Sequence, residues 1–191
     1  MSTLKPEIHI ETDRLIIKTL CEEDRIAYMS LRTQSSDLAV AYEMLPEFKN
    51  YEWEAELNSE EDIYLSVFRK ADGVFVASAS IQNFDEDVVE LGYDVVAEYR
   101  NQGIATELVR ALIVESHSLF NESKVVIRVN NDNEASKRVA EKCGGKFYRN
   151  DDSPLYKAIS ELAETLGEKA DPSIREAVEN DKYTVILYEM P

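Results

Sequence analysis

The stretch ELGYDVVAEYRNQGIATEL, Glu90 to Leu108, reads as a strand that runs into a turn and then directly into an amphipathic helix. The turn carries Arg100, Gly103 and Ala105. The first N–H groups of a helix have no intrahelical partners and sit at the positive end of its dipole, equivalent to roughly half an elementary charge. Such a junction is an anion cradle suited to phosphate. Gly103 lets the backbone approach a ligand with no Cβ in the way, and Ala105 is the next smallest residue at the following contact position.

Outward from this segment, the chain alternates strand-like and helix-like patterns. Residues 14–19 (RLIIKT) suit a strand, and residues 22–34 a helix with Ile26, Met29 and Leu31 among its apolar positions. The acidic, aromatic stretch from Ser35 to Glu60 suits one or two short helices. Residues 63–69 and 74–83 are β-rich runs joined by Lys70-Ala71-Asp72-Gly73, a hairpin signal, and an acidic turn at Asp85-Glu86-Asp87 leads to a strand over 88–96. Behind the cradle, Ile104, Leu108, Ala111 and Leu112 form the apolar stripe of a helix over 103–118.

The nearly continuous apolar run at 124–129 fits a strand covered on both faces, and strand, helix and strand in succession imply a parallel pair. Asn131 can cap the next helix, with Glu134 completing a box-like pattern and Gly144-Gly145 ending it. Residues 146–149 give a short strand, the stretch of about 151–182 a helical insertion, and YTVILYEM from Tyr183 a closing strand. The expected architecture is a mixed α/β single domain over residues 1–191: a mostly antiparallel seven-stranded sheet, with strands four and five parallel and helices on both faces.

Composition narrows the function. With 44% hydrophobic and 31% charged residues, the chain is ordinary for a globular domain. No segment reaches the roughly 18 apolar residues of a membrane span, and no leader pattern opens the chain, so a cytoplasmic protein without membrane attachment is expected. A net charge of −17 with no basic stripe argues against nucleic acid. Cys21 and Cys143 lie far apart and near no CxxC or histidine pair; with only His9 and His117, neither a metal site nor a histidine triad is expected. There is no Walker lysine and no early GxGxxG, which excludes the usual nucleoside triphosphate and dinucleotide loops.

The order of elements around the cradle resembles the GCN5-related N-acetyltransferase (GNAT) superfamily. Arg100-x-x-Gly103-x-Ala105 matches its pyrophosphate loop, Q/R-x-x-G-x-G/A. ETDRLIIKTL at 11–20 resembles the opening strand of the branch that includes the ribosomal-protein N-terminal alanine acetyltransferases. Asn133-Glu134-Ala135-Ser136, followed by Glu141-Lys142-Cys143-Gly144, is similar to that branch's second signature.

The resemblance implies an N-acetyltransferase that moves an acetyl group from acetyl-CoA, as co-substrate, to a primary amine by direct attack in a ternary complex. The acceptor would be a protein N-terminus or a small molecule, and the enzyme a monomer or homodimer. The cofactor's pyrophosphate would take hydrogen bonds from the backbone of Gln102, Gly103, Ile104, Ala105 and Thr106, with Arg100 beside it. Val95 and Val96 would pair with the pantetheine arm, and a main-chain N–H there could polarise the thioester. Asn133 would hold pantetheine or a water, and Lys137, with Arg138 beside it, would approach the nucleotide end.

An ammonium has no lone pair, so something must take the acceptor's proton. Glu90, Gly92 and Asp94 share one face of their strand, with Gly92 leaving room beside both carboxylates. Glu90 occupies the position where many relatives place a general base, and Asp94 is the reserve. Many relatives protonate the departing thiolate with a tyrosine, but Ala140 stands at that position here; Ser136, one helical turn earlier, is the candidate acid. Cys143 is not expected to carry the acyl group. The alternatives are a noncatalytic acyl-CoA-binding or regulatory module that keeps the cradle, and a transferase of a longer acyl group.

Overall fold

A computed structural model of the chain describes residues 6–34, 46–82, 87–120, 123–152 and 184–191. Most of the expected 151–182 insertion therefore lies outside the described residues, as does the acidic turn at Asp85 and Glu86. The chain forms two compact units that meet in sequence at Val125 and Val126.

The first unit opens with β1 (His9–Glu11) and β2 (Leu15–Thr19), then a 3-10 turn (Glu22–Asp24), α1 (Arg25–Arg32) and α2 (Pro46–Leu57). β3 (Ile63–Arg69), β4 (Phe75–Gln82) and β5 (Val88–Val95) follow, and a 3-10 turn at Ala97–Tyr99 leads to α3 (Ile104–Leu119). Strands β1 to β5 are antiparallel neighbours in chain order. The hairpin at Asp72-Gly73 forms as its sequence implies: Gly73 takes φ +69° and Arg69 N–H donates to the Val74 carbonyl at 2.8 Å.

β6 (Lys124–Asn130) starts in this unit, where Lys124 N–H donates to the carbonyl of Asp87 at 2.8 Å, just ahead of β5. The second unit continues β6 and adds α4 (Glu134–Lys142), β7 (Lys146–Asp152) and β8 (Thr184–Glu189), with β8 antiparallel to both β6 and β7. The strand order is β1-β2-β3-β4-β5-β6-β8-β7.

The mixed α/β architecture matches the sequence reading, with eight strands instead of seven. The extra one is β1, a three-residue edge strand whose His-Ile-Glu pattern is too short and polar to show a period. The core stripe on α3 is as expected at Ile104, Leu108 and Leu112, which are all buried. α1 differs: Tyr28 and Leu31 face the core, whereas Ile26 is 87% exposed. Tyr28 packs edge-on against Trp53 of α2, ring centroids 5.9 Å apart, and with Leu20 they form a buried cluster that fixes α1 and α2 above the sheet.

Candidate active site

The turn between β5 and α3 has the geometry of an anion cradle. Gly103 takes φ +80°, a left-handed conformation that favours glycine, and serves as the N-cap of α3 with no side-chain cap bond. The first helical donation comes from Glu107 N–H to the Gly103 carbonyl at 3.1 Å, so the N–H groups of Gly103, Ile104, Ala105 and Thr106 precede the helical ladder. Ile104 itself is buried, which anchors the turn in the core. Gln102 is held by its side chain, whose Nε2 donates to the Glu98 carbonyl at 2.8 Å.

Arg100 turns back onto β5. Its Nε donates to the Val95 carbonyl at 2.8 Å, and Nη2 lies 3.4 Å from Asp94 Oδ1. In this position it braces the strand end instead of extending over the turn. The two valines are distinguished by the sheet. Val96 N–H donates to the Val76 carbonyl of β4 at 3.0 Å, and because neighbouring peptide groups alternate between strand edges, the N–H and carbonyl of Val95 point away from β4. With the Val95 carbonyl held by Arg100, the Val95 N–H is the group that an added strand-like ligand could pair with.

The Gly92–Asp94 stretch of β5 borders a polar cavity of about 260 Å³. Its walls are Tyr28 and Arg32 of α1, Glu56 of α2, Tyr64 of β3, Ser78, Ala79, Ser80 and Gln82 of β4, and Gly92, Tyr93 and Asp94 of β5. Gly92 matters here by size: a Cβ at this position would lie 2.4 Å from Ser80 Oγ. Asp94 lines the cavity directly, whereas Glu90 does not; Glu90 is the cross-strand partner of Gln82, which does.

The electrostatics of the cavity follow from burial. Burial raises the Asp94 carboxyl above its ordinary value, against the opposing pull of Arg100. Burial likewise raises Glu56, although the Arg32 guanidinium, 3.1 Å away, favours its ionised form. Arg32 Nη2 also lies 2.7 Å from Glu52 Oε1, so one cation ties α1 to two carboxylates of α2. Burial pushes the Tyr64 hydroxyl up to about 12, which keeps it a neutral donor at physiological pH.

Asn133, Ser136 and Lys137 lie on the first turn of α4 in the second unit. Asn133, not Asn131, is the N-cap: its Oδ1 accepts from Ser136 N–H at 3.0 Å. The cap therefore occupies the Asn133 side chain. Lys137 Nζ lies 2.9 Å from Glu134 Oε1, and Arg138 is exposed. Ala140 is fully buried, and Cys143, which is in no disulfide, is buried at the helix end.

Sequence reasoning missed a group that touches the cradle itself. Arg14, in the turn between β1 and β2, donates from Nε to Glu107 Oε2 at 2.6 Å and from Nη1 to the Gln102 carbonyl at 3.0 Å. Its backbone N–H and the Thr12 hydroxyl both donate to Glu107 Oε1, at 2.9 and 2.6 Å. Burial alone would raise the Glu107 carboxyl, but the bonds from Thr12 and Arg14 outweigh it and hold it below its ordinary value. Among the described residues, no group of three or more His, Cys, Asp or Glu could hold a metal ion, and no helix is long and apolar enough to cross a membrane.

Comparison with known proteins places this geometry in a family. No curated protein matches the sequence. Solved structures do match in fold. A ribosomal L7/L12 alpha-N-protein acetyltransferase in complex with coenzyme A superposes with a TM-score of 0.69 at 14% identity, over 95% of this chain and 97% of that one. An acetyltransferase (GNAT family) from Bacillus anthracis gives 0.66 at 17% identity, over 96% and 98%. A mutant form of a spermidine N-acetyltransferase from Vibrio cholerae gives 0.64 at 13% identity, over 91% and 93%. A family model described as an acetyltransferase (GNAT) domain matches residues 14–146, from the turn before β2 to the start of β7. The chain belongs to the GNAT family and is an acyltransferase enzyme of that kind.

Proposed function

We propose that the protein transfers an acetyl group from acetyl-CoA to a primary amine by direct attack. The observation that carries this reading is the double use of β5: its C-terminal end feeds an anion cradle at Gly103, and its Gly92–Asp94 face borders a polar cavity on the side of α1 and α2. The cradle suits the pyrophosphate of coenzyme A, because main-chain N–H groups ahead of a helix can bind phosphate without competing side chains. The Val95 N–H, aimed away from β4, suits the thioester arm, where it would stabilise negative charge on the carbonyl oxygen as the amine adds.

The acceptor amine occupies the cavity in its neutral form. The nitrogen forms a bond to the acetyl carbon, the carbon–sulfur bond breaks, and the amine's proton passes to a carboxylate. Two carboxylates flank Gly92. Asp94 borders the cavity, and burial raises its carboxyl above its ordinary value, which makes it a stronger base than an ordinary aspartate. Glu90, on the same strand and paired with Gln82 of β4, is the alternative acceptor of that one proton, reached through a water. The acceptor in this reading is a protein N-terminus or a small amine, and the names of the two neighbours above carry one of each.

The demand for a base differs between these acceptors. An α-amino group with a pKa near 8 is about one tenth neutral at pH 7, whereas an alkylamine near 10.4 is neutral in only about one part in a thousand or fewer. Thiol release, measured with acetyl-CoA over a panel of peptides, amino acids, polyamines and aminoglycosides, tests the proposal. Release with any amine class supports it. No release with any of them, despite tight binding of acetyl-CoA, would favour the noncatalytic binding module.

A further inference from the structure

We propose that Arg14 and Glu107 form a latch that presets the coenzyme cradle, which makes Arg14 a positioning residue for the co-substrate; this rests on the acetyl-CoA reading above. The two residues are 93 positions apart, yet they share a bidentate set of contacts: Arg14 N–H to Glu107 Oε1 at 2.9 Å and Arg14 Nε to Glu107 Oε2 at 2.6 Å. Thr12 adds a third donor to the same carboxylate at 2.6 Å. The turn carrying them is itself pinned, since Lys70 N–H donates to the Arg14 carbonyl at 2.8 Å and Lys70 Nζ to the Thr12 carbonyl at 2.9 Å.

The consequence for the cradle comes through one peptide group. Arg14 Nη1 holds the Gln102 carbonyl at 3.0 Å. In a planar trans peptide the carbonyl and the following N–H point in opposite directions, so the Gly103 N–H is turned to the side away from Arg14. Arg14 thereby fixes the orientation of a donor at the mouth of the cradle. The bare α-carbon of Gly103 permits this approach, because a Cβ there would stand 3.3 Å from Arg14 Nη2.

Charge adds a second effect. Glu107 lies in the first turn of α3, where a lone carboxylate would compete with an incoming phosphate for the same positive helix end. Paired with Arg14, that carboxylate is neutralised, and the half-exposed guanidinium leaves a positive edge beside the turn.

The test is the dissociation constant of acetyl-CoA, measured by calorimetry for the unsubstituted protein and for Arg14→Gln, Glu107→Gln, the double variant and Arg14→Lys, with circular dichroism and the melting temperature recorded for each. Arg14→Gln should weaken binding roughly tenfold, and the double variant should be no weaker than Arg14→Gln, because the two side chains act as one unit. Arg14→Lys should fall between, since an ammonium can meet Glu107 but cannot also hold the Gln102 carbonyl with a planar fork.

Steady-state kinetics supplies the readout that a general loss of structure would not give: KM for acetyl-CoA rises, while kcat at saturation and KM for the amine stay within about twofold. If Arg14→Gln fails to fold, Arg14→Lys and Glu107→Gln carry the test. Unchanged affinity in folded Arg14 and Glu107 variants, with tight binding by the unsubstituted protein, overturns the latch alone. No binding by the unsubstituted protein overturns the acetyl-CoA reading together with it.

Discussion

Replacing Gly103 by alanine isolates what the cradle asks of its backbone. The residue sits at φ +80°, where a side chain costs about 1–2 kcal/mol. The new Cβ would also lie 3.3 Å from Arg14 Nη2, close enough to displace the guanidinium by a few tenths of an ångström but not to clash outright. The strain term therefore dominates. For a chain of 191 residues it corresponds to a fall in melting temperature of about 2–8 °C. Asparagine carries the same Cβ but tolerates the left-handed region, so Gly103→Asn should lose less than Gly103→Ala, and Gly103→Val more than either. Urea unfolding of the series, paired with acetyl-CoA calorimetry, reads both stability and binding. Equal stability of Gly103→Ala and the unsubstituted protein, or a larger loss for asparagine than for valine, would refute the backbone argument.

Three further outcomes follow from the same geometry. Gly92→Val fills the cavity wall beside Ser80 and should raise KM for the amine about tenfold or more while leaving acetyl-CoA affinity unchanged, measured by kinetics and calorimetry in parallel. Asp94→Asn should remove the acid limb of the kcat/KM profile: the raised carboxyl loses its basic form as pH falls through a value above the usual 3.8, and a limb retained in Asp94→Asn but lost in Glu90→Gln would move the base to Glu90. Glu107 has its folded pKa lowered, so the stability it adds is present above its unfolded value of 4.5 and is lost as pH falls through the folded value below that. The stability gap between the unsubstituted protein and Glu107→Gln should be full at pH 7 and narrow as pH falls below 4.5, as urea unfolding would show.

The fold was legible because its longer elements carry unmistakable periods. The alternation from Val88 to Val95 and the stripe of α3 predict a strand and a helix, and burial of Val89, Leu91, Ile104, Leu108 and Leu112 follows it. The cradle was legible for the same reason, since a small-residue turn between two clear elements leaves little freedom. Short or polar features were not. β1 has three residues, and the choice between Asn131 and Asn133 as a cap depends on where the backbone enters α4, which the run Asn-Asn-Asp-Asn does not disclose.

Contacts across the chain were the hardest to read. Arg14 and Glu107 look like ordinary surface charges in sequence, and only the adjacency of the β1–β2 turn to the start of α3 makes them partners. The same holds for the cavity: Tyr28, Arg32, Glu56 and Tyr64 come from three elements with no shared local motif. The acidic residues of an opening turn and of a first helical turn were visible, but nothing local said which basic residue each would meet.

If the turn at Gly103 holds the pyrophosphate of coenzyme A, acetyl-CoA binds the protein there. Titration of the unsubstituted protein with acetyl-CoA in a calorimeter tests it most directly. One saturable site per chain is expected, competed by coenzyme A and weakened in Gly103→Val. No binding heat at several temperatures, with the protein folded by circular dichroism, would contradict it.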